Sequence, residues 1–300
     1  MAAVTTTEAA DIIPKFWLNE AITRFRANTI MTRLCRRDYE NTTMAKGDTI
    51  SIPKRGVVTA KSKVQGSPIV PDAPTNDKVD VTIDQHEYVS WSIEDHAKSK
   101  ALDVGLRYLD DAIPVLAEKV EQDLLNLYAE NALIVGTAGT DLTEDTILAA
   151  RLAMNNQKAP MMNRHLIVSP KDETALLKVD RFTRFDALGE EGIIREATLG
   201  RLHGFTTYMS TLVPTIPGPP VTTHNLAFHP NAYVLVSRAL AMPPQGAGVV
   251  MAMQADPVSG LIFRYTQGYS ILDQAMIHTI DILYGVKAID EDRLAVTLLS

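Results

Sequence analysis

The stretch 101-ALDVGLRYLDDAIPVLAEKVEQDLLNLYAE-130 organises the rest of the chain. Its apolar residues Leu106, Leu109, Ile113, Leu116, Val120, Leu124 and Leu127 recur every three or four positions. That is the period of one helical face, whereas a half-buried strand would alternate. Acidic residues and Lys119 fill the other sides, so one stripe is expected on a core and the remainder in water or against a partner. Pro114 lies inside the pattern, where it removes a backbone donor and crowds the carbonyl one turn back. A bend is expected there, or a short first helix followed by a second beginning near Ile113. A helix of about 25 residues would measure roughly 37 Å at 1.5 Å per residue. Most helices of globular domains are much shorter, and this one reads as the backbone of a flat or extended subunit.

The chain has 300 residues, 46 % of them apolar, enough for one large or two modest domains with a real core. No run approaches 18 consecutive apolar residues, so no membrane-spanning helix and no membrane partner are expected. The start, MAAVTTTEAADIIPKFW, lacks a basic stretch followed by an apolar one and does not read as a secretory signal. Cys35 is the only cysteine, which excludes an intrachain disulfide and argues against a cysteine-based zinc site. A reducing cytoplasm fits. The net charge of −7 is uneven: residues 1–63 hold 11 Lys/Arg and 6 Asp/Glu, residues 64–300 hold 18 and 30. The basic residues are dispersed among apolar ones without interleaved aromatics, a weak match to a nucleic-acid tail. Solvated charge is the plain reading; contact with the acidic remainder of another copy is the sharper one.

Residues 1–46 read as an arm holding a short amphipathic helix near 14–26, with Phe16, Trp17, Ile22 and Phe25 on its apolar side. So short a helix must dock on something. Residues 47–93 alternate apolar and polar at Thr49-Ile50-Ser51-Ile52, again from Val79 to Ile83 and from Tyr88 to Ile93, which predicts a β-hairpin. Between its halves, residues 61–78 hold Pro68, Pro71, Pro74 and Gly66 with few large apolar side chains. That composition suits a projecting tip and not a core. Beyond the long helix, Asp141 can cap a helix over about 143–155 whose buried side is Ile147, Leu148, Leu152 and several alanines. A strand at 164–168 and a helix begun by Ser169-Pro170 follow. Then come a strand pair around Gly204, a strand at 226–228, a short helix over 230–239, strands near 249–253, 261–266 and 274–284, and a last strand at 294–299. The order of helices and strands predicts a compact α/β or α+β fold.

Signatures of catalysis are missing. No GxSxG, GxxxxGK[ST] or GxGxxG motif occurs. Ser51-Ile52-Pro53-Lys54 spells SxxK, but Pro53 and the strand pattern keep Ser51 and Lys54 off one helical turn. The histidines at 86, 96, 165, 203, 224, 229 and 278 have no metal-ligand spacing. Asp110-Asp111 and Glu190-Glu191 suit a solvated face, and Met161-Met162 a gap-filling core. No catalytic, cofactor-binding or metal-binding residue is assigned, and a role other than an enzyme's is expected.

The order of parts resembles a known family. A docking arm precedes Gly47-Asp48-Thr49-Ile50-Ser51-Ile52-Pro53, then Val79-Asp80-Val81-Thr82-Ile83-Asp84-Gln85 and Tyr88-Val89-Ser90-Trp91-Ser92-Ile93-Glu94-Asp95. A long acidic helix follows, then Leu166-Ile167-Val168-Ser169-Pro170 and Leu199-Gly200 through Gly204-Phe205. Over nearly the whole chain this is similar to the major capsid protein of tailed phages, with the HK97-like fold, in its P22 coat-like branch. The resemblance implies an N-terminal arm (1–46) and an extended β-hairpin loop (47–92) lying over a neighbouring subunit. It implies a spine helix of a peripheral domain (93–140), an axial domain (141–248) clustering at five-fold and six-fold positions, peripheral strands (249–285), and a C-terminal strand (286–300) returning to the axial domain.

The implied function is a coat that assembles into an icosahedral shell around double-stranded DNA, bound without sequence specificity. The implied partners are further copies in pentamers and hexamers, a portal protein and, in some members, a decoration protein. No long coiled-coil segment precedes the arm, which implies a separate scaffolding protein, and no large inserted domain is visible. The lysine–asparagine crosslink of some members is not carried over, because no residue here can be assigned as its catalytic acid. The implied location is the virion capsid, assembled in the host cytoplasm. An acidic total charge would keep packaged DNA from adhering to the wall. On this reading Lys54, Arg55, Lys61 and Lys63 of the hairpin face Asp110, Asp111, Glu118 and Glu121 of a neighbour's helix, and Phe16 and Trp17 supply further contacts. Two alternatives stand beside it: a soluble α/β hydrolase-type enzyme whose site is assembled from distant residues, and an encapsulin-like compartment shell.

Overall fold

The computed structural model describes residues 29–37, 49–54, 60–63, 65–66, 68–69, 71, 77–95, 104–178, 200–242, 244, 248–257 and 259–300, with 104–113 described by their backbone alone. In chain order the elements are α1 (Met31–Leu34), β1 (Thr49–Pro53), β2 (Lys78–Thr82), β3 (Gln85–Glu94), α2 (Val104–Leu125), β4 (Ile134–Gly136), α3 (Glu144–Asn156), β5 (Arg164–Val168) and α4 (Pro170–Leu177). They continue with β6 (Arg201–Leu202), β7 (Phe205–Met209), β8 (Thr215–Ile216), β9 (Thr222–Phe228), β10 (Tyr233–Arg238), β11 (Val250–Ala255), β12 (Ile262–Ser270), β13 (Ala275–Ala288) and β14 (Ala295–Leu299).

β13 is the spine of a five-stranded sheet. Along one edge it pairs with β3, from Ala275 opposite Glu94 to Tyr284 opposite Gln85. Along the other it pairs with β12 and then, from Leu283 onward, with β10. All three pairings are antiparallel, and β11 completes the sheet beside β12. β3 keeps the alternation its sequence carries: Val89, Trp91 and Ile93 turn inward while Tyr88, Ser90 and Ser92 face out. α2 packs on β3 and β13 through Leu116, Ala117, Val120 and Leu124, all buried. Polar ties fix its far end. Tyr284 donates to Asp123 at 2.7 Å, and Glu130 accepts from Lys287 Nζ at 2.6 Å and from the Ala288 amide at 3.2 Å.

The second sheet has seven strands in the order β4-β14-β9-β5-β7-β6, with β8 against β9. β5, β9 and β14 are buried along most of their length, on both faces of the sheet. α3 packs against β14 and β4. The Thr143 side chain accepts from the Thr146 amide at its start, so the cap lies two residues beyond the expected Asp141. Asn131 joins the two sheets: its Oδ1 accepts from Tyr233 of β10 at 2.8 Å, and its Nδ2 donates to Thr297 of β14 at 3.0 Å.

Several expectations are corrected. Of the two outcomes expected at Pro114, the break into two helices is corrected: α2 is a single helix through it, because burial of its apolar stripe outweighs one lost hydrogen bond. β3 was expected within the projecting hairpin; its ten-residue pairing with β13 puts it in the body, so the ribbon ends near Thr82. β4 lies in the seven-stranded sheet and β10 in the five-stranded one, which moves the boundaries read at 140 and 248. The helix expected over 230–239 is one 3-10 turn followed by β10, since Tyr-Val-Leu-Val packs better as a buried strand. Leu148 and Leu152 are exposed, because α3 turns Ile147, Ala150 and Met154 inward and the small Ala150 permits close approach. Met161 and Met162 are exposed on the turn before β5 and fill no core.

The end of the second sheet is locked by one buried carboxylate. Asp172 Oδ2 accepts from Ser169 Oγ at 2.7 Å, Asn225 Nδ2 at 2.7 Å and Ser300 Oγ at 2.8 Å, while Oδ1 accepts from the Leu142 amide at 3.2 Å. Stranding buried donors costs about 1–3 kcal/mol each. Asp172→Ala is therefore expected to lower unfolding free energy by roughly 3 kcal/mol or more. Asp172→Asn, which keeps one acceptor, should lose less; urea unfolding of the two variants measures the difference.

Candidate intersubunit surface

The ribbon formed by β1 and β2 is rooted in the body and then leaves it. Thr49 stands opposite Thr82 and Pro53 opposite Lys78, so Ile52 and Val81 fall on one face. With Ile83 they pack on Val234, Val236 and Ile289. This apolar plug follows from the period-two alternation of TISIP and KVDVT. The outward face is polar: Ser51 donates to Asp80, and that hydrogen bond, followed by the one from Lys78, holds the Asp80 carboxyl below its ordinary range. Past the backbone rung from Lys54 to Asp77 at 2.7 Å, the outermost among the described residues, every described residue from 60 to 71 is exposed. Ile69, with 74 % of its surface free, is a large apolar side chain held away from the body.

Lys54 pairs within its own chain, lying 3.7 Å from Glu291 and 3.8 Å from Asp292. Lys61 and Lys63 are exposed on the ribbon, and Glu118 is exposed on α2. Arg55, Phe16 and Trp17 lie outside the described residues, as do the side chains of Asp110 and Asp111, whose backbone is in α2. The sequence reading missed Ile289, Glu291 and Asp292 as partners of the root. The run Asp290-Glu291-Asp292 was the available signal. A cleft of about 660 Å³ lies where ribbon and body meet, with Ile52 and Pro53 on one wall and Lys54, Lys158, Asp292 and Arg293 among its charged groups. Among the described residues no three His, Cys, Asp or Glu side chains converge to hold a metal ion.

Glu121 is corrected outright. It was expected to face a neighbour, yet its side chain is buried and bound to α1 of its own chain. Its carboxylate accepts from the Met31 amide at 2.9 and 3.0 Å and from the Ile30 amide at 3.1 Å, capping α1 from 90 residues away. Those are donors that a helix start leaves unsatisfied. α1 is further held by the buried Met31 and Thr32, and by backbone bonds from Arg36 to Tyr233 and from Leu235 to Arg36.

Burial pushes the Glu121 carboxyl up from 4.5 to about 7, against the opposing pull of the Met31, Ile30 and Thr32 amides and of Arg33. The folded protein thus keeps this proton up to about pH 7, while the unfolded chain releases it near 4.5. Stability from this group is full below the lower value and is lost as pH rises through the upper one. Relative to Glu121→Gln, the wild type should lose about 1–3 kcal/mol between pH 5 and pH 8. Urea midpoints of the two proteins across that range check it.

Comparisons with known proteins agree with this architecture. A family model described as phage capsid protein matches residues 77–290. The chain is similar to a solved structure from Mycobacterium phage Che8, at 20 % identity and a TM-score of 0.67, with 90 % of each chain covered. It is similar to the capsid of cyanophage P-SCSP1u at 15 % identity and a TM-score of 0.65, covering 90 % of this chain and 87 % of that one. The mature capsid of bacteriophage PhiM1 is similar at 15 % identity and a TM-score of 0.61, with the same coverages. Among curated proteins no match is found. The two-sheet body, the long helix and the rooted ribbon are therefore those of an HK97-like fold, and this chain belongs to the phage capsid protein family.

Proposed function

We propose that the ribbon from β1 to β2 lies over a neighbouring copy and is the arm that links subunits in the icosahedral shell this major capsid protein builds. The observation that carries the reading is the contrast along the ribbon: a plug of Ile52, Val81 and Ile83 sealed against the body, then residues 60–71 exposed wherever they are described. A mobile loop would need no such root. The seven-stranded sheet with α3 and α4 is the axial domain, gathering in fives and sixes, and the five-stranded sheet with α2 is the peripheral domain. Closed symmetry lets one such contact repeat around the shell. Scaffolding and portal proteins, packaged double-stranded DNA and, where present, a decoration protein are the other partners. Assembly takes place in the host cytoplasm and the product is the virion.

Lys61 and Lys63 are exposed on the ribbon beyond its root, and they are the basic residues assigned here to the contact with a neighbour. Their counterpart is α2, through the exposed Glu118 and, by the sequence reading, Asp110 and Asp111. Each exposed pair is worth about 0–1 kcal/mol, so the effect accumulates only through many copies. Reversing Lys61 and Lys63 to glutamate together should leave the monomer's unfolding transition unchanged and reduce shell yield, with the loss greatest at low salt. Sedimentation of assembly reactions reads the yield; wild-type yield at low salt contradicts the pairing.

A further inference from the structure

The polypeptide crosses its own central strand between the ribbon and β3, and one residue makes the crossing possible. β2 ends at Thr82 and β3 starts at Gln85, so Ile83 and Asp84 alone carry the chain over β13. Beneath them lies Gly285, inside the strand three residues before its end, next to Tyr284, which faces Gln85 in the last rung between β13 and β3. On the opposite edge Gly285 faces Val236 of β10, a member of the apolar plug. A Cβ added at Gly285 would stand 2.1 Å from the Thr82 carbonyl oxygen, 3.0 Å from its carbon and 3.1 Å from the Ile83 Cα. All three are backbone atoms, so no side-chain rotation can relieve the clash. The ribbon itself would have to lift and turn.

We infer that Gly285 sets the angle at which the ribbon leaves the body, and through that angle the spacing and tilt of neighbouring copies in the shell. The inference rests on the reading of the ribbon as the arm between subunits. A glycine in a strand interior otherwise weakens it, and marks a place where another backbone comes close. Here the approaching backbone is the ribbon's last residue. Ile83, packed in the plug at the crossing itself, holds the angle once Gly285 has allowed it. Gly285 is thus a positioning residue for assembly, acting through Thr82 without touching the neighbour.

The test compares shells of five proteins, the full-length wild type, three full-length point variants and one deletion variant, by particle diameter in electron micrographs, with Tm recorded for each. Gly285→Ala and Ile83→Ala alter the crossing and the plug. Ile147→Ala opens a cavity under α3, against the seven-stranded sheet, and serves as a control for lost stability. A protein lacking residues 60–71 serves as the control for the ribbon. The wild type gives the reference diameter. The inference predicts no normal shells from the shortened ribbon, the reference diameter from Ile147→Ala, and a displaced or broadened diameter from the two root variants. If Gly285→Ala fails to fold, Ile83→Ala alone decides. Reference-diameter shells from every folded root variant overturn the inference while leaving the ribbon reading in place. An equal displacement with Ile147→Ala also overturns it, because diameter would then follow stability. Normal shells from the shortened ribbon overturn the reading of the ribbon and this inference with it.

Discussion

A ribbon that leaves its own body must be anchored inside it, and here the anchor is the packing of Ile52, Val81 and Ile83 on Val234, Val236 and Ile289. Burying one such side chain contributes about 1.5–3 kcal/mol before the cost of ordering it. Three of them outweigh the two long ion pairs of Lys54 with Glu291 and Asp292, which are partly exposed and screened by solvent. Apolar packing therefore fixes the root, and charge trims it. β13 supplies the platform, because its 14 residues pair with β3, β12 and β10 and also pass beneath the crossing.

The same strand connects the root to the rest of the body. α2 lies against β3 and β13 and is tied to β13 by Asp123 and Glu130. Through Glu121 it also caps α1, so the segment entering from the N-terminal side is held by the same helix. Asn131, just beyond α2, then bridges β10 to β14. The five-stranded sheet, the helix, the entering segment and the second sheet thus share a continuous set of buried contacts.

Much of this was legible in the residues and some was not. The three-and-four spacing of Leu116, Val120, Leu124 and Leu127 announced the buried stripe of α2, since a helix face has one period and one meaning. The alternation of β3 was equally plain, but alternation does not name a partner, and a sheet 190 residues away claimed what looked like ribbon. Glu121 looked like one more solvated acid on a helix. Its partners are backbone amides 90 and 91 residues earlier, and amides leave no mark in a sequence. Leu148 and Leu152 misled for a different reason: periodicity gives a helical face but does not say which of two overlapping stripes meets the core. Gly285 carried no local signal, because its need comes from Thr82, some two hundred residues before it.

The claim on which the account depends is that the tip of the ribbon touches another copy. A photo-crosslinking amino acid at position 69, where Ile69 stands well clear of the body, tests it in assembled shells. Denaturing electrophoresis after illumination should give covalent dimers and higher ladders, with the crosslinked peptide mapping to a second chain. Crosslinks found only within single chains would contradict the account.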